Sequence, residues 1–313
     1  MRISSYSDCM LGYFGPAGTF THQALLSLGE GDGIPFATVG ATLEAVVGGQ
    51  VEAALVPIEN SVEGGVSATL DSLTALGAAE GISLQIVREV LLPVQFGLFV
   101  RPGTPVAAVR RVLTHPHAAA QCRDWLRTNL PQATVTEGGS TAGAAQEVSD
   151  PLSKFDAAVS AHVAGEMYGL ELAADEIADN AAAVTRFVLV AREGKGPERT
   201  GADKTTLVAY MHEDHPGALL EILEQFATRG INLSRIESRP TKTILGSYCF
   251  SIDADGHLRD ARMAEALQGL KRVCKDVIFL GSYPRADRAQ PSLARGTSDE
   301  EHASAREWLA SLG

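Results

Sequence analysis

Short apolar runs alternate with amphipathic stretches along the first two thirds of the chain, from Leu11 to about Ala191. The strand-like runs are LGYFG, VEAALVPIE, ATVTE and FDAAVSA, with ISLQIVREVLLPVQFGLFV long enough for two strands. Apolar residues at helical spacing predict helices around 20–28, 66–73 and 118–126, and further helices near Thr141 and Val163. This alternation predicts an α/β sheet covered by helices.

The pattern changes after a segment without apolar periodicity. REGKGPERTGAD, residues 192–203, is rich in glycine and charge, which is typical of a linker. The next stretch, up to about residue 284, follows the order strand, helix, strand, strand, helix, strand. This order predicts a ferredoxin-like βαββαβ unit. Beyond it, from Arg285, DEEHASAREWLASL predicts a short amphipathic helix in a tail.

The length and net charge of the chain limit the functions that it can have. With 313 residues the chain is expected to form two or more domains, and its net charge of −12 argues against a nucleic-acid partner. No apolar run reaches the roughly 20 residues that cross a bilayer, and MRISSYSDCM lacks a signal-peptide segment. We therefore expect a cytoplasmic protein without membrane association. The four cysteines are dispersed, which favours buried thiols over a metal site.

The stretch GYFGPAGTFTHQAL contains a glycine-rich turn before a predicted helix. Backbone N–H groups near Gly18 and Thr19 would there meet the positive end of the helix and bind an anion. The spacing matches neither a dinucleotide fingerprint nor a P-loop. A purely structural turn explains this motif equally well.

The stretch VPIENSVEGGV follows the end of a predicted strand, where open α/β sheets bind ligands. Glu59, Asn60, Ser61 and Glu63 lie between an apolar strand and a pair of glycines. A solvated loop is the alternative, but the flanking proline and glycines favour a constrained binding loop.

Further small polar residues precede predicted helices. Ser140 and Thr141 are good helix N-cap types, so capping alone would explain them. His115 and His117 flank a proline in THPHAAAQC, and we do not assign either as a catalytic base.

The apolar run VTRFVLV begins with a hydroxyl, a guanidinium and an aromatic ring. Thr185 and Phe187 favour strands, and Arg186 would then be an edge cation. A guanidinium between core positions is nevertheless costly unless an anion pairs with it. A bound carboxylate would supply that partner.

Together these motifs resemble prephenate dehydratase. GPAGTFT, PIENSVEGGV, the His115–Cys122 pattern, STAGAA and TRF occur in that order, and PGALLEILEQFATRGINLSRIESRP is similar to the ACT regulatory domain of the same family. The resemblance covers residues 12–283. It implies a two-lobed catalytic domain, like type II periplasmic binding proteins, in residues 1–193, an ACT domain in 204–284 and a tail in 285–313. One position departs from the family, which often has Asn where this chain has Ala183.

The resemblance also implies roles for the residues above. The reaction would be decarboxylating dehydration of prephenate to phenylpyruvate, without a cofactor, with a catalytic set of Thr185, Arg186 and Phe187. Thr185 would donate a hydrogen bond or a proton to the leaving hydroxyl group, Arg186 would bind a carboxylate of the substrate, and Phe187 would pack against the substrate ring. The implied substrate-binding set is Gly18, Thr19, Glu59, Asn60, Ser61, Ser140 and Thr141.

The resemblance to the ACT domain implies regulation by L-phenylalanine, and assembly into a homodimer or homotetramer through paired ACT domains. The matching positions are Gly217, Ala218, Leu219, Asn232, Leu233, Glu237, Ser238, Arg239 and Pro240. Tight helix packing is the alternative explanation for Gly217 and Ala218. Two other functions stay open: an arogenate dehydratase, and a small-molecule-binding amino-acid sensor that is not an enzyme.

Overall fold

The computed structural model describes residues 10–29, 31–80, 82–212, 215–241 and 248–313. The chain divides into two units, Met1–Thr69 with Val90–Phe187, and Leu70–Glu89 with Val188–Gly313. The first-unit elements, some of which continue into the second unit, are β1 (Leu11–Phe14), α1 (Phe20–Leu26), β2 (Ile34–Phe36), α2 (Val39–Val47), β3 (Ala53–Asn60), β4 (Gly64–Gly65), α3 (Ser67–Glu80), β5 (Leu84–Pro93), β6 (Gly97–Val100), β7 (Arg111–Thr114), α4 (Pro116–Gln121), α5 (Arg123–Asn129), β8 (Thr134–Glu137), α6 (Thr141–Ser149), β9 (Ala157–Ser160), α7 (His162–Met167), β10 (Glu171–Ala174) and β11 (Val184–Arg192). They are followed by β12 (Asp203–Tyr210), α8 (Ala218–Ala227), β13 (Leu233–Pro240), β14 (Tyr248–Asp255), α9 (Ala261–Val273), β15 (Asp276–Pro284) and α10 (Asp299–Ala310).

The first sheet has the strand order β2-β1-β3-β11-β5, and β4 pairs with β3. Strand β1 is parallel to both β2 and β3, and helices α1 and α2 make the connections that parallel strands require. The stretch 53–56 of β3 is fully buried, as expected for a central strand covered on both faces.

The second sheet has the order β10-β6-β9-β7-β8. Strands β7, β8 and β9 are parallel neighbours, whereas β6 runs antiparallel to both β9 and β10. A core cluster that includes Phe96, Leu98 and Val112 packs under this sheet, with the partly buried Phe20 of α1 against it. The chain from β1 to β11 thus forms two sheets with helices between their strands, in agreement with the predicted α/β fold class.

The third sheet is antiparallel throughout, with the order β13-β14-β12-β15. Apolar residues of α8 and α9, such as Ile222 and Met263, share a core with Leu207 and Ile252 of the sheet. The βαββαβ order predicted from the sequence is confirmed, with β13 at one edge.

The predicted helix over 118–126 is two helices in the structure. It breaks at Cys122, which has φ −118° and ψ 16°. The Asp179 carboxylate accepts hydrogen bonds from the N–H groups of Asp124 and Trp125, so a distant loop supplies the cap of α5. The two strands of the long apolar run, β5 and β6, belong to different sheets.

The thiols of Cys122, Cys249 and Cys274 are buried and free, as predicted, and Cys9 lies outside the described residues. Burial raises the pKa of Cys122 to about 12, so this thiol stays protonated at neutral pH. Within the described residues, none of the helices is long and apolar enough to cross a membrane.

Candidate active site

Asn60 lies at the end of β3, and hydrogen bonds on both ends of its carboxamide fix its orientation. Its Oδ1 accepts from the N–H groups of Val62 (2.8 Å) and Glu63 (3.1 Å). This turn joins β3 to β4, whose Gly64 has a φ of +86°, a conformation that favours glycine. Because Oδ1 is committed to the turn, the Nδ2 group must point the other way.

The Asn60 Nδ2 group donates to the Thr185 Oγ1 over 2.8 Å. Thr185 is the second residue of β11 and is only 9% exposed. A hydroxyl that accepts from an amide keeps its own proton for another acceptor. The sequence-predicted donor is therefore buried and oriented by a sequence-predicted binding residue 125 positions away.

Arg186 forms a separate pair with Glu59. The Arg186 Nη1 and the Glu59 Oε2 are 3.5 Å apart, and the arginine side chain is only 6% exposed. Glu59 and Asn60 are neighbours on β3 and pair with the neighbours Arg186 and Thr185 on β11, which is the register of antiparallel strands. Since successive strand residues point to opposite faces, Arg186 lies on the face opposite Thr185.

Ser61 fastens the loop after β3 to the start of β11. Its N–H donates to the Val184 carbonyl and its Oγ accepts from the Val184 N–H, both over 2.9 Å. This reciprocal pair fixes the register that brings Asn60 to Thr185. The contacts of Ser61 are thus those of a positioning residue.

Phe187 follows two positions after Thr185 and is 1% exposed. Strand alternation places its ring on the same face as the Thr185 hydroxyl. Ala183, the departure from the family pattern, is fully buried. The Asn180 side chain accepts a hydrogen bond from the Ala182 N–H in its own turn.

The glycine-rich turn packs against helices that flank the second sheet. Gly18 has a φ of +85°, and a Cβ there would lie 3.2 to 3.3 Å from the Cβ atoms of Ala164 and Ala142. The Gly18 N–H donates to the His22 Nδ1 over 3.1 Å, so this N–H is committed within the protein. Burial lowers the pKa of His22, in keeping with a neutral ring that accepts this bond.

Ser140 and Thr141 lie at the start of α6, beside Ala142. The Ser140 Oγ accepts from the Gly143 N–H over 2.9 Å, which is the capping role that the sequence allowed. Thr19 is likewise the N-cap of α1. The structure therefore brings two helix N-termini and the Gly18 turn near one another through Gly18 and Ala142.

Two further residues, outside the predicted site, contact the loop after β3. The Glu63 carboxylate lies 2.8 Å from the His117 Nδ1 and accepts from the Gln121 Nε2 over 3.3 Å. His117 and Gln121 belong to α4, which precedes β8 of the second sheet. The loop after β3 of the first sheet therefore contacts a helix of the second sheet. The HPHAAAQ spacing placed both on one helical turn, but nothing in it indicated Glu63 as their partner.

In the second unit the predicted regulatory residues fall into two groups. Gly217 has a φ of +95° and is the N-cap of α8, with Ala218 and Leu219 in the first turn. The remaining residues lie on or just before β13. Here Asn232 donates to Asp255, and Glu237 accepts from Arg235.

Arg239 and Glu237 lie on one face of β13, and Ser238 on the other, beside Phe250 of β14. The Arg239 Nη2 donates to both oxygens of Asp71 on α3, at 3.1 and 3.2 Å. Pro240 ends the strand.

Comparisons with known proteins agree with this arrangement. The family model for prephenate dehydratase matches residues 11–195, and the ACT domain model matches residues 205–272. A prephenate dehydratase from Amycolatopsis methanolica is 47% identical over 305 residues, which cover 96% of this chain and 97% of that protein.

Two solved structures are also similar. Prephenate dehydratase from Arthrobacter aurescens, crystallised in complex with L-Phe, has 50% identity and a TM-score of 0.89, over 97% of this chain and 99% of that chain. A quorum-quenching acylase, GqqA, has 31% identity and a TM-score of 0.79, over 88% of this chain and 97% of that chain.

The chain has two sheets with a buried hydroxyl held by an amide, and then a βαββαβ unit that matches the ACT domain model. These features place it in a class of enzymes that carry an ACT domain. The chain belongs to the prephenate dehydratase family.

Proposed function

We propose that this chain converts prephenate to phenylpyruvate and that the Thr185 hydroxyl donates the proton that the leaving hydroxide needs. The observation that carries the proposal is the Asn60–Thr185 hydrogen bond at a buried strand position. It supports a hydroxyl whose proton is directed away from the protein.

The bond changes set what the site must do. The bond from the ring to its carboxylate breaks, CO2 leaves, and its electron pair enters the ring. The carbon–oxygen bond on the opposite side of the ring breaks at the same time, the departing hydroxide takes the Thr185 proton to leave as water, and Thr185 regains a proton from solvent. All electrons come from the substrate, so the proposal includes no cofactor.

A threonine hydroxyl is a poor acid in water, so position must supply its effect. With Asn60 donating to Oγ1, the Thr185 proton is available to the leaving oxygen, and this bond strengthens as negative charge develops there. Phe187, on the same face, would lie against the ring and exclude water.

The two substrate carboxylates need local donors because the chain carries a net charge of −12. We assign them to the N-terminus of α6, with Ser140 and Thr141, and to the Thr19 end of the turn at α1. The contacts of Arg186 support a positioning role, because it neutralises Glu59 beside Asn60 and lies on the opposite face from Thr185. Direct contact of Arg186 with a carboxylate stays a prediction.

The proposal extends to regulation. L-phenylalanine, which is bound in the Arthrobacter aurescens relative, would bind here at the start of α8 and at β13 in an ACT domain of residues 204–284. A homodimer or homotetramer paired through ACT domains agrees with β13 as an edge strand that exposes Ile236. The catalytic domain would be residues 1–193, the tail 285–313, and the location cytoplasmic.

Product analysis tests the proposal and separates it from the alternatives. We expect the purified chain to form phenylpyruvate from prephenate, and Thr185→Ala to lower kcat by about 10²-fold or more while remaining folded. Formation of phenylalanine from arogenate in preference would identify an arogenate dehydratase. Binding of either compound without turnover would favour a sensor.

A further inference from the structure

Helix α3 follows β4 and is hydrogen-bonded at its start to β3, the strand that ends at Asn60. The Val66 N–H donates to the Ile58 carbonyl over 2.8 Å, and the buried Thr69 hydroxyl donates to the Pro57 carbonyl. The first turn of α3 is therefore held on the strand that carries Asn60. A shift of this turn would move the end of β3 with it.

The next turn of α3 is bonded to the ACT sheet. Arg239 of β13 contacts both carboxylate oxygens of Asp71 through one guanidinium nitrogen. Both side chains are partly exposed, at 20% and 31%, so the pair is a modest tie whose strength depends on geometry. Small changes in the position of β13 would therefore strengthen or break it.

The surroundings of this pair leave room for such a change. A cavity of about 230 Å³ lies between α3 and the sheet, lined by Leu70, Asp71 and Thr74 on the helix and by Tyr210, Arg239 and Cys249 on the strands. Empty space beside packed elements removes contacts that would otherwise hold them in one arrangement.

The other end of the same segment is held tightly. In β5 the buried Glu89 carboxylate lies 3.0 Å from the Lys204 Nζ of β12. The Ile86 backbone fits against Gly281 of β15, where a Cβ would overlap it. Segment 70–89 is thus held on the sheet by buried contacts at β5, and at α3 by a partly exposed ion pair that lies beside a cavity.

We propose that the Asp71–Arg239 pair couples the ACT sheet to the catalytic hydroxyl through helix α3. The connected contacts run from Arg239 to Asp71, along α3 to Thr69, across to β3, and from Asn60 to Thr185. The inference rests on the proposed function, since it names the route by which phenylalanine alters turnover. Asp71 is a positioning residue in this account, because it acts on the reaction through other groups.

The substitution Asp71→Asn tests the coupling because it removes the charge and keeps the shape. Asp124→Asn is the matched control, since Asp124 pairs with an arginine on the exposed surface of α5. Both variants are assayed as full chains for prephenate turnover with and without phenylalanine, and phenylalanine binding is measured by calorimetry.

In the wild type and in Asp124→Asn, we expect phenylalanine to change kcat/KM by about fivefold or more, and in Asp71→Asn by less than about twofold. Asp71→Asn should still bind phenylalanine and keep its kcat without effector, because the bonds of α3 to β3 remain. Asp71→Glu should recover part of the response. An equal response in the wild type and Asp71→Asn overturns the coupling alone.

Phenylalanine that leaves wild-type turnover unchanged refutes the regulatory part of the proposed function, and the coupling with it. Hydrogen exchange on the wild type gives a second test that needs no variant. We expect phenylalanine to change the protection of backbone amides in residues 67–75, and unchanged protection there overturns the proposal.

Discussion

The orientation of Asn60 yields the most specific prediction. In Asn60→Asp, the carboxylate keeps both backbone bonds to residues 62 and 63 but loses the donor to Thr185. A carboxylate only accepts hydrogen bonds, so the Thr185 hydroxyl would turn its proton toward it and away from the substrate. The substitution therefore reverses one hydrogen bond and leaves the turn in place.

The magnitude follows from what the hydroxyl contributes. A positioned general acid accounts for about 10²- to 10⁴-fold in rate, equivalent to about 3 to 5 kcal/mol. The effect on folding should be much smaller, below about 1.5 kcal/mol, because the number of hydrogen bonds is unchanged. We expect kcat to fall by at least about 10²-fold while the urea midpoint changes little.

The pH dependence adds a second signature. A protonated carboxyl donates as the amide does, and an ordinary aspartic acid has a pKa of about 3.9. The ratio of variant to wild-type kcat should therefore rise as the pH falls from 7 toward 5. The matched control is Asn129→Asp, which removes an amide donor to the Trp125 carbonyl on α5. If Asn60→Asp turns over prephenate within about threefold of wild type, Asn60 does not direct the hydroxyl and the reasoning is refuted.

Three further predictions follow from other contacts. Arg186→Lys should lower kcat/KM at least about tenfold because an ammonium cannot reproduce the planar guanidinium. The control is Arg101→Lys, which removes a guanidinium Nη1 that donates to two backbone carbonyls, and an unchanged kcat/KM for Arg186→Lys would refute a role of Arg186 in the site. Glu89→Gln breaks a buried ion pair with Lys204 and should cost about 3 to 5 kcal/mol of unfolding free energy in urea, whereas a loss below about 1 kcal/mol would contradict full burial. Burial lowers the pKa of His22 in the folded chain, so as the pH falls below about 6.5 the unfolded chain takes up a proton on this histidine before the folded chain does. The free energy of unfolding should therefore decline from pH 7 to 5, and His22→Gln should make this decline smaller in thermal melts. An equal decline in the wild type and His22→Gln would contradict a lowered pKa of His22.

Periodicity predicted most of the fold because the strands are short apolar runs and the helices have one apolar face. The βαββαβ unit is the clearest case, since alternate residues of β14 (Phe250, Ile252 and Ala254) are apolar and share a core with α8 and α9. The break at Cys122 was missed because its cause, the cap from Asp179, lies 57 residues further along the chain. No local pattern contains such a contact.

The motifs of the site could be predicted from the sequence, but which of their side chains contact each other could not. Each motif carries a local signal, such as a hydroxyl at a strand start, but the register of β3 with β11 decides that Thr185 meets Asn60 and Arg186 meets Glu59. The same register places two chain neighbours on opposite faces. The tie between Asp71 and Arg239 likewise depends on tertiary packing over 168 residues.

The central claim is that the Thr185 hydroxyl donates a proton in the reaction. Thr185→Val tests it most directly, because valine keeps the branched shape and strand preference of the buried residue and lacks only the hydroxyl. We expect kcat for prephenate to fall by about 10²-fold or more in Thr185→Val, and by much less in Thr185→Ser. A folded Thr185→Val chain that turns over prephenate at the wild-type rate would contradict the account.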